Sequence, residues 1–297
     1  MLNFVCMKIA LITGGSTGES EVSLLSARSI EEALHFAEVD VFVFPNQLQD
    51  FLSVHDGYDL AIPMIHGKGG EDGSLHGLLE QLSVPHLFGN IKAHAIGIDK
   101  ELCKRRALEL GIKSPQTFVE SSVAFPVFVK SNTGGSSLQM GLCDDQDDLG
   151  RCLSSGICEP LIEEVIVGRE FTVGVIEQEG EMVALPVVEI IPKSAYFDYE
   201  SKYDEKELAE EICPAVIEEE LKNELQRQAV MIHESLGVEH LSRSDFIVTD
   251  QREIYFLEIN TIPGMTKTSL VPKALEVAGV DLSALLLAWC DKLKSKN

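Results

Sequence analysis

No Cys-x-x-Cys pair occurs among the seven cysteines, Cys6, Cys103, Cys143, Cys152, Cys158, Cys213 and Cys290. An odd number of scattered thiols disfavours a disulfide framework and fits a reducing cytoplasm. No apolar run is long enough to cross a bilayer. The apolar start, "MLNFVCMKIALITGG", lacks the basic leader of a signal peptide and runs straight into a strand and glycine turn. Cations are scarce: Lys plus Arg is 24 against 48 for Asp plus Glu, a net charge of −24. Such a surface repels nucleic acid and anionic membranes, so neither is expected as a partner. An anionic ligand such as a nucleotide would need the few cations, and any metal, concentrated at its site. The Gly-x-x-x-x-Gly-Lys-Ser/Thr spacing of a P-loop is missing, as is a strand–Gly-x-Gly-x-x-Gly–helix dinucleotide unit. Internal repeats and low-complexity segments are also absent.

What is present is an ordinary globular composition, 45% hydrophobic over 297 residues, enough for two or three domains. "KIALIT", "VDVFVFP", "YDLAIPMIHG" and "VPHLFG" read as strands, and "SEVSLLSARSIEEALHF" and "SLHGLLEQL" as helices between them. This alternation predicts a parallel sheet covered by helices. A helix, "DKELCKRRALELGI", then leads to a small sheet with one helix and a glycine-rich hairpin. Longer strands follow from Glu170, with "EFTVGVIE" and "MVALPVVEII" forming an antiparallel hairpin. A long polar loop over 192–211, a helix near 217–236, a last hairpin and one terminal helix complete the chain. The expected class is α/β, α+β overall, with domains over 1–93, 94–168 and 169–297.

The last hairpin, "RSDFIVTDQREIYFLEIN", places polar groups on strands that otherwise want to be inside. A turn centred on Gln251-Arg252 sets Asp245 opposite Glu258 and Arg243 opposite Asn260. Two carboxylates about 4 Å apart repel by about 4 kcal/mol at an effective dielectric near 20. A hard divalent cation reverses that sign, and Mg2+ is held by one or two carboxylates together with substrate phosphates. Asp245, Glu258 and Asn260 are the candidate metal ligands. The alternative is a solvated outer face, against which the neighbouring Phe256, Ile247 and Ile259 are apolar.

"VKSNTGGSSLQMG" places Gly134, Gly135, Ser136 and Ser137 between two strands, where backbone N–H groups and hydroxyls can wrap a phosphate. Lys130 ends the strand before it and can point inward at the same anion; Lys100 sits near the start of its own helix. A plain turn is the alternative reading of this hairpin.

Taken together, "GGSTGESEVS", "HGKGGEDG", "EFTV", "YESKY", "RSDF" and "EINTIPGMTKTSLVP" occur in an order that resembles the D-alanine–D-alanine ligases of the ATP-grasp superfamily. The likeness runs from about residue 8 to residue 290. It implies that 94–168 and 169–297 form a two-part ATP-grasp fold. It also implies ligation of two D-alanines with ATP, through an acylphosphate and a tetrahedral intermediate, for peptidoglycan synthesis in the cytoplasm. ATP, with Mg2+ or Mn2+ as two ions, and D-alanine are the implied ligands, and a homodimer the implied assembly.

By that resemblance Glu19 holds the first D-alanine's ammonium and His66 lies near its carboxylate. Arg243 and the Gly264 N–H stabilise the oxyanion. Ser269 and the Leu270 N–H take the second carboxylate. Ser136 and Tyr203 link to Glu19 and close a lid, and Lys202 reaches the γ-phosphate. Lys100, Lys130 and Ser137 meet the phosphates. Glu163 reads adenine, Val165 and Ile166 pack on its ring, and Glu170 bonds the ribose. Ser131 and Gln139 replace a proline and a glycine usual in the family, and Val165 an aromatic residue. A depsipeptide or other D-amino-acid ligase is the near alternative; Tyr203 favours an amine nucleophile and so disfavours the depsipeptide. A non-catalytic nucleotide-binding protein is the alternative of a different class.

Overall fold

The computed structural model describes residues 7–135, 140–192 and 209–296. The chain opens with β1 (Met7–Gly14), α1 (Ser20–Ala33), β2 (Ala37–Phe44), α2 (Leu48–Val54), β3 (Leu60–Met64) and α3 (Ser74–Gln81). β1 lies between β2 and β3 and is parallel to both. Its residues alternate between two cores. Ile9 and Leu11 meet Ala27 and Ile30 of α1, whereas Ala10 and Ile12 meet Phe51 of α2 and Leu75 and Leu79 of α3. Burial on both faces is why β1 reads as a nearly continuous apolar run. The strand expected at "VPHLFG" is reduced to one bridge, Ala61 with His86. The backbone then turns away through positive φ at Phe88 and Asn90.

Two helices follow, α4 (Ile91–Ile98) and α5 (Lys100–Glu109). The Asn90 side chain accepts the Ala93 N–H and that of Asp99 accepts the Leu102 N–H, so each helix starts on a polar cap. The small unit contains β4 (Thr117–Phe118), β5 (Val127–Ser131), β6 (Met140–Cys143), α6 (Gln146–Ser154) and β7 (Pro160–Glu164). Its strands run antiparallel in the order β4-β7-β5-β6 over a separate core of Val127, Val129, Leu149 and Ile162.

The third unit holds β8 (Arg169–Gln178), β9 (Glu181–Ala184), β10 (Val188–Ile191), β11 (Glu210–Ile212), α7 (Glu219–Leu236), β12 (Leu241–Val248) and β13 (Ile254–Asn260). The expected hairpin partner of β8 is split around Pro186 into β9 and β10, both pairing with β8. The single terminal helix expected is two, α8 (Leu270–Ala278) and α9 (Leu282–Lys296), parted at Gly279 in the left-handed conformation. Leu286 and Trp289 of α9 and Val271 of α8 join the same core as β1 and β3. The first and third units therefore share apolar packing, while the small sheet keeps its own.

The polar hairpin pairs as expected, Arg243 with Asn260 and Asp245 with Glu258. It gets there by two compensating departures. Next to the turn the pairs are Phe246 with Phe256 and Ile247 with Tyr255, one residue out of that register. A bulge at Leu257 then restores it.

Burial depresses four histidines of this fold, His66 and, more strongly, three others: His94 to about 4, His233 to about 4, and His76 to about 2 with help from His94 and His86. Unfolded, each titrates near 6.5. Their neutral forms contribute stability that is complete above pH 6.5 and is lost as the pH falls toward 4. Glu71, pushed up to about 7 by burial, opposes them with one proton between pH 4.5 and 7. A net uptake of about two protons on unfolding gives roughly 2.7 kcal/mol per pH unit at the steepest point. Urea midpoints are expected to drop as the pH is lowered from 6.5 to 5; a flat profile there contradicts the assignment.

Candidate active site

β12 and β13 present their polar residues on one patch. Arg243 donates from Nε to Asp245 Oδ1 at 2.9 Å and from Nη2 to Oδ2 at 2.8 Å. Thr172 of β8 donates to Asp245 Oδ1 at 2.5 Å, and Asn260 Nδ2 lies 3.4 Å from Oδ2. Glu258 is met by Lys100 Nζ at 3.1 Å. Each acid thus has its own cation, which offsets the repulsion between the paired carboxylates. Burial works against the Arg243 charge, but Asp245, Glu258 and Glu71 more than offset it and hold its pKa above the ordinary value. Burial alone would raise Glu258; Lys100, Lys130 and Arg243 keep it below the carboxylate range. Among the described residues no three His, Cys, Asp or Glu side chains converge as a metal cluster. The oxygen set on this patch, two carboxylates and an amide, instead suits a hard cation that draws its remaining ligands from phosphates.

A second group of charges lies beside the small sheet. Lys100 Nζ also donates to Gly134 O at 2.6 Å, tying α5 to the glycine-rich hairpin. Lys130, on β5, meets Glu163 Oε2 of the neighbouring β7 at 2.8 Å. Lys104 of α5 grips the other oxygen of Glu163. Glu163 is buried, contrary to a solvated strand-end charge. Val165 and Ile166 follow it, half-buried, in the link to β8, where Glu170 stands near the start.

The third group surrounds the loop after β13. His66 is buried, and both its ring nitrogens are engaged: Nδ1 donates to Ile262 O at 2.7 Å and Nε2 faces Ser26 Oγ at 3.0 Å. Ser26 Oγ accepts the Met265 N–H at 3.0 Å. Glu71 accepts the Ile262 N–H at 3.0 Å and the Gly67 N–H at 2.8 Å. The loop carrying Gly264 is therefore held at Ile262 and Met265 by residues of the first unit. Burial lowers His66, against the pull of Ile262 O and Glu19. Sequence reasoning missed Glu71, Ser26 and Lys104. The "GGEDG" context was a signal for Glu71, whereas nothing local marks the other two.

Glu19 sits at the start of α1 with its carboxylate against two glycines. A β-carbon on Gly135 would lie 2.6 Å from its Oε1, and one on Gly67, where φ is +70, would lie closer still to Oε2. A side chain at either position would push the Glu19 carboxylate aside, and at Gly67 the positive φ adds backbone strain. Ser269 precedes α8, and Leu270 is its first residue. Ser269 Oγ accepts the Thr266 N–H at 3.1 Å and pairs with Thr266 Oγ1 at 2.7 Å. A helix start beside hydroxyls suits a carboxylate. Ser136, Ser137, Gln139, Lys202 and Tyr203 lie outside the described residues.

Comparison with known proteins bears on this arrangement. Residues 102–289 match the family model described as D-ala D-ala ligase C-terminus. The D-alanine--D-alanine ligase of Fusobacterium nucleatum is 37% identical over 92% of this chain and 94% of its own length. The crystal structure of the Bacillus anthracis D-alanine--D-alanine ligase complexed with ATP superposes with a TM-score of 0.81 at 28% identity, covering 98% of this chain and 99% of that one. The VanG D-Ala:D-Ser ligase of Enterococcus faecalis superposes with a TM-score of 0.81 at 27% identity, over 97% of this chain and 99% of that one.

Proposed function

The chain belongs to the D-alanine–D-alanine ligase family, and from that premise we propose how its residues divide the reaction. It joins two D-alanines with ATP, releasing ADP and phosphate, to form the dipeptide of peptidoglycan synthesis, on an ATP-grasp fold. ATP first phosphorylates the carboxylate of one D-alanine; the amine of the second attacks the acylphosphate. Such chemistry asks the protein mainly for positioning and charge stabilisation.

Glu19, in its glycine-lined niche, receives the first substrate's ammonium. Ser269 and the Leu270 N–H receive the second carboxylate. Arg243 and the Gly264 N–H face the oxyanion of the tetrahedral intermediate. His66 acts at the first substrate's pocket by bracing the 262–265 backbone, directly through Ile262 O and indirectly through Ser26, whose hydroxyl accepts the Met265 N–H. Lys100 and Lys130 serve the phosphates, Glu163 the adenine edge, Val165 and Ile166 its ring, and Glu170 the ribose. Ser136, Ser137, Lys202 and Tyr203 keep the lid and phosphate roles that the resemblance gives them. Mg2+ or Mn2+, as two ions, would be held by Asp245, Glu258 and Asn260, and when bound would neutralise the phosphate charge between ATP and the acyl group. The carrying observation is the register that sets Arg243, Asp245, Glu258 and Asn260 on one patch.

No helix among the described residues is long and apolar enough to cross a membrane. We place the enzyme in the cytoplasm as a homodimer, with domains over 1–93, 94–168 and 169–297; light scattering tests the assembly. The activity is tested by phosphate release with ATP and Mg2+ across D-alanine, L-alanine, D-serine and D-lactate. Release with D-alanine alone, yielding dipeptide, is expected. Dependence on D-lactate or D-serine as the second substrate would reassign the specificity.

Glu71→Gln tests the brace on the oxyanion loop. An amide oxygen accepts one of the two N–H groups while its NH2 opposes the other, so stability falls by about 1–3 kcal/mol. If the loop positions Gly264, kcat falls about tenfold or more while the KM for ATP stays within a factor of about two. Parallel losses in both would remove Glu71 from that role.

A further inference from the structure

We propose that Lys104 is a positioning residue for the nucleotide: it is the permanent counter-ion of Glu163, and its grip lets Lys130 leave that carboxylate for the phosphates. This rests on the ligase reading of the site and adds a residue to it. The two lysines that share Glu163 are bound unequally. Lys104 comes from α5, and its ammonium donates to Glu163 Oε1, to Thr117 Oγ1 at 3.0 Å and to Pro115 O at 3.4 Å. Its side chain is 3% exposed. Three acceptors use all three of its protons, so it has nothing left for a ligand. Lys130 reaches Glu163 from β5 through the other oxygen, and its side chain is 13% exposed. It is the more exposed lysine of the pair, near the end of the strand that runs into Gly134 and Gly135.

The asymmetry has an energetic consequence. Glu163 is 3% exposed. Uncovering a buried carboxylate is strongly unfavourable, whereas exchanging one of two cations is not. With Lys104 in place, Lys130 can move to an incoming phosphate and Glu163 remains paired, oriented by a cation that touches Thr117 of β4 and the backbone of Pro115. Without Lys104 the one ion-pair partner left to Glu163 among the described residues would be Lys130, and binding a phosphate would mean breaking that pair. Burial also pulls the Lys104 ammonium below its ordinary value while Glu163 holds it up, so the pair stands or falls together.

The test is ADP binding to the nucleotide-free full-length protein by calorimetry, which needs no turnover. Lys104→Met is expected to weaken ADP at least tenfold, and Lys104→Arg, which keeps the charge, to stay within threefold of the parent. The discriminating variant is the pair Glu163→Gln and Lys104→Met together. Once the carboxylate is gone, Lys130 has nothing to hold it back, so the double variant should bind ADP within threefold of Glu163→Gln alone. A tenfold further loss in the double variant would show that Lys104 acts on the site by another route and would overturn the proposal. Unchanged affinity in a folded Lys104→Met would do the same. Should Lys104→Met not fold, the comparison of the double variant with Glu163→Gln decides: the double variant strands no carboxylate, and in Glu163→Gln the Lys104 ammonium keeps Thr117 Oγ1, Pro115 O and the new amide oxygen as acceptors. Failure of the parent protein to bind ADP would instead count against the ligase reading itself.

Discussion

Glu258→Gln is expected to lower turnover by on the order of 10³, the rate equivalent of about 4 kcal/mol of lost charge stabilisation. The substitution keeps the shape and one oxygen acceptor but removes the charge that a hard cation requires. Lys100 can still donate to the amide and retains Gly134 O at 2.6 Å, so the urea midpoint should fall by only about 1–2 kcal/mol. The same variant separates two explanations for the carboxylate. If it holds a cation, the Mg2+ concentration that half-saturates residual activity rises at least tenfold. If it serves only as the partner of Lys100, that concentration does not move. Full activity at the parent's Mg2+ requirement would falsify the ligand assignment.

Arg243→Met should be worse for both rate and fold. Losing an oxyanion donor costs about 10² to 10³ in kcat. Asp245, 8% exposed and bonded twice to this guanidinium, is left with Thr172 and Asn260, and breaking a buried pair costs about 3–5 kcal/mol. Adding Asp245→Asn to the same chain removes the stranded charge; it should restore most of the stability and none of the rate. Arg243→Lys keeps a charge without the two-pronged geometry, so the midpoint should largely return while kcat stays at least about tenfold down. A double variant that stayed as unstable as Arg243→Met would mean that the guanidinium supports the fold through contacts other than Asp245.

The hairpin shows how far local chemistry reaches. Its pairing could be read because strand alternation leaves few registers that keep apolar residues inside, yet the bulge at Leu257 that preserves it could not. The short strand at "VPHLFG" failed for a related reason. Its pattern was adequate, but positive φ at Phe88 and Asn90 ends the pairing after one bridge. "IKAHAIGI" had too little polar periodicity to announce α4. In the site, Glu19, Arg243, Asp245, Glu258 and Asn260 sit inside motifs or on one hairpin, where spacing along the chain is also spacing in the structure.

The sequence alone determined what is periodic or contiguous: the strand–helix alternation of the first unit, the two-residue spacing that puts Glu258 and Asn260 on one face, the Gly14-Gly15 turn that precedes Glu19. Those follow from backbone geometry and need no distant partner. Only the tertiary structure decided that Glu71 grips the N–H of Ile262, 191 residues away, that Lys104 shares Glu163 with Lys130, and that α9 closes the core beneath β1. Those contacts form between elements whose meeting is set by how whole faces pack, and a buried ion pair leaves no period in the chain that makes it.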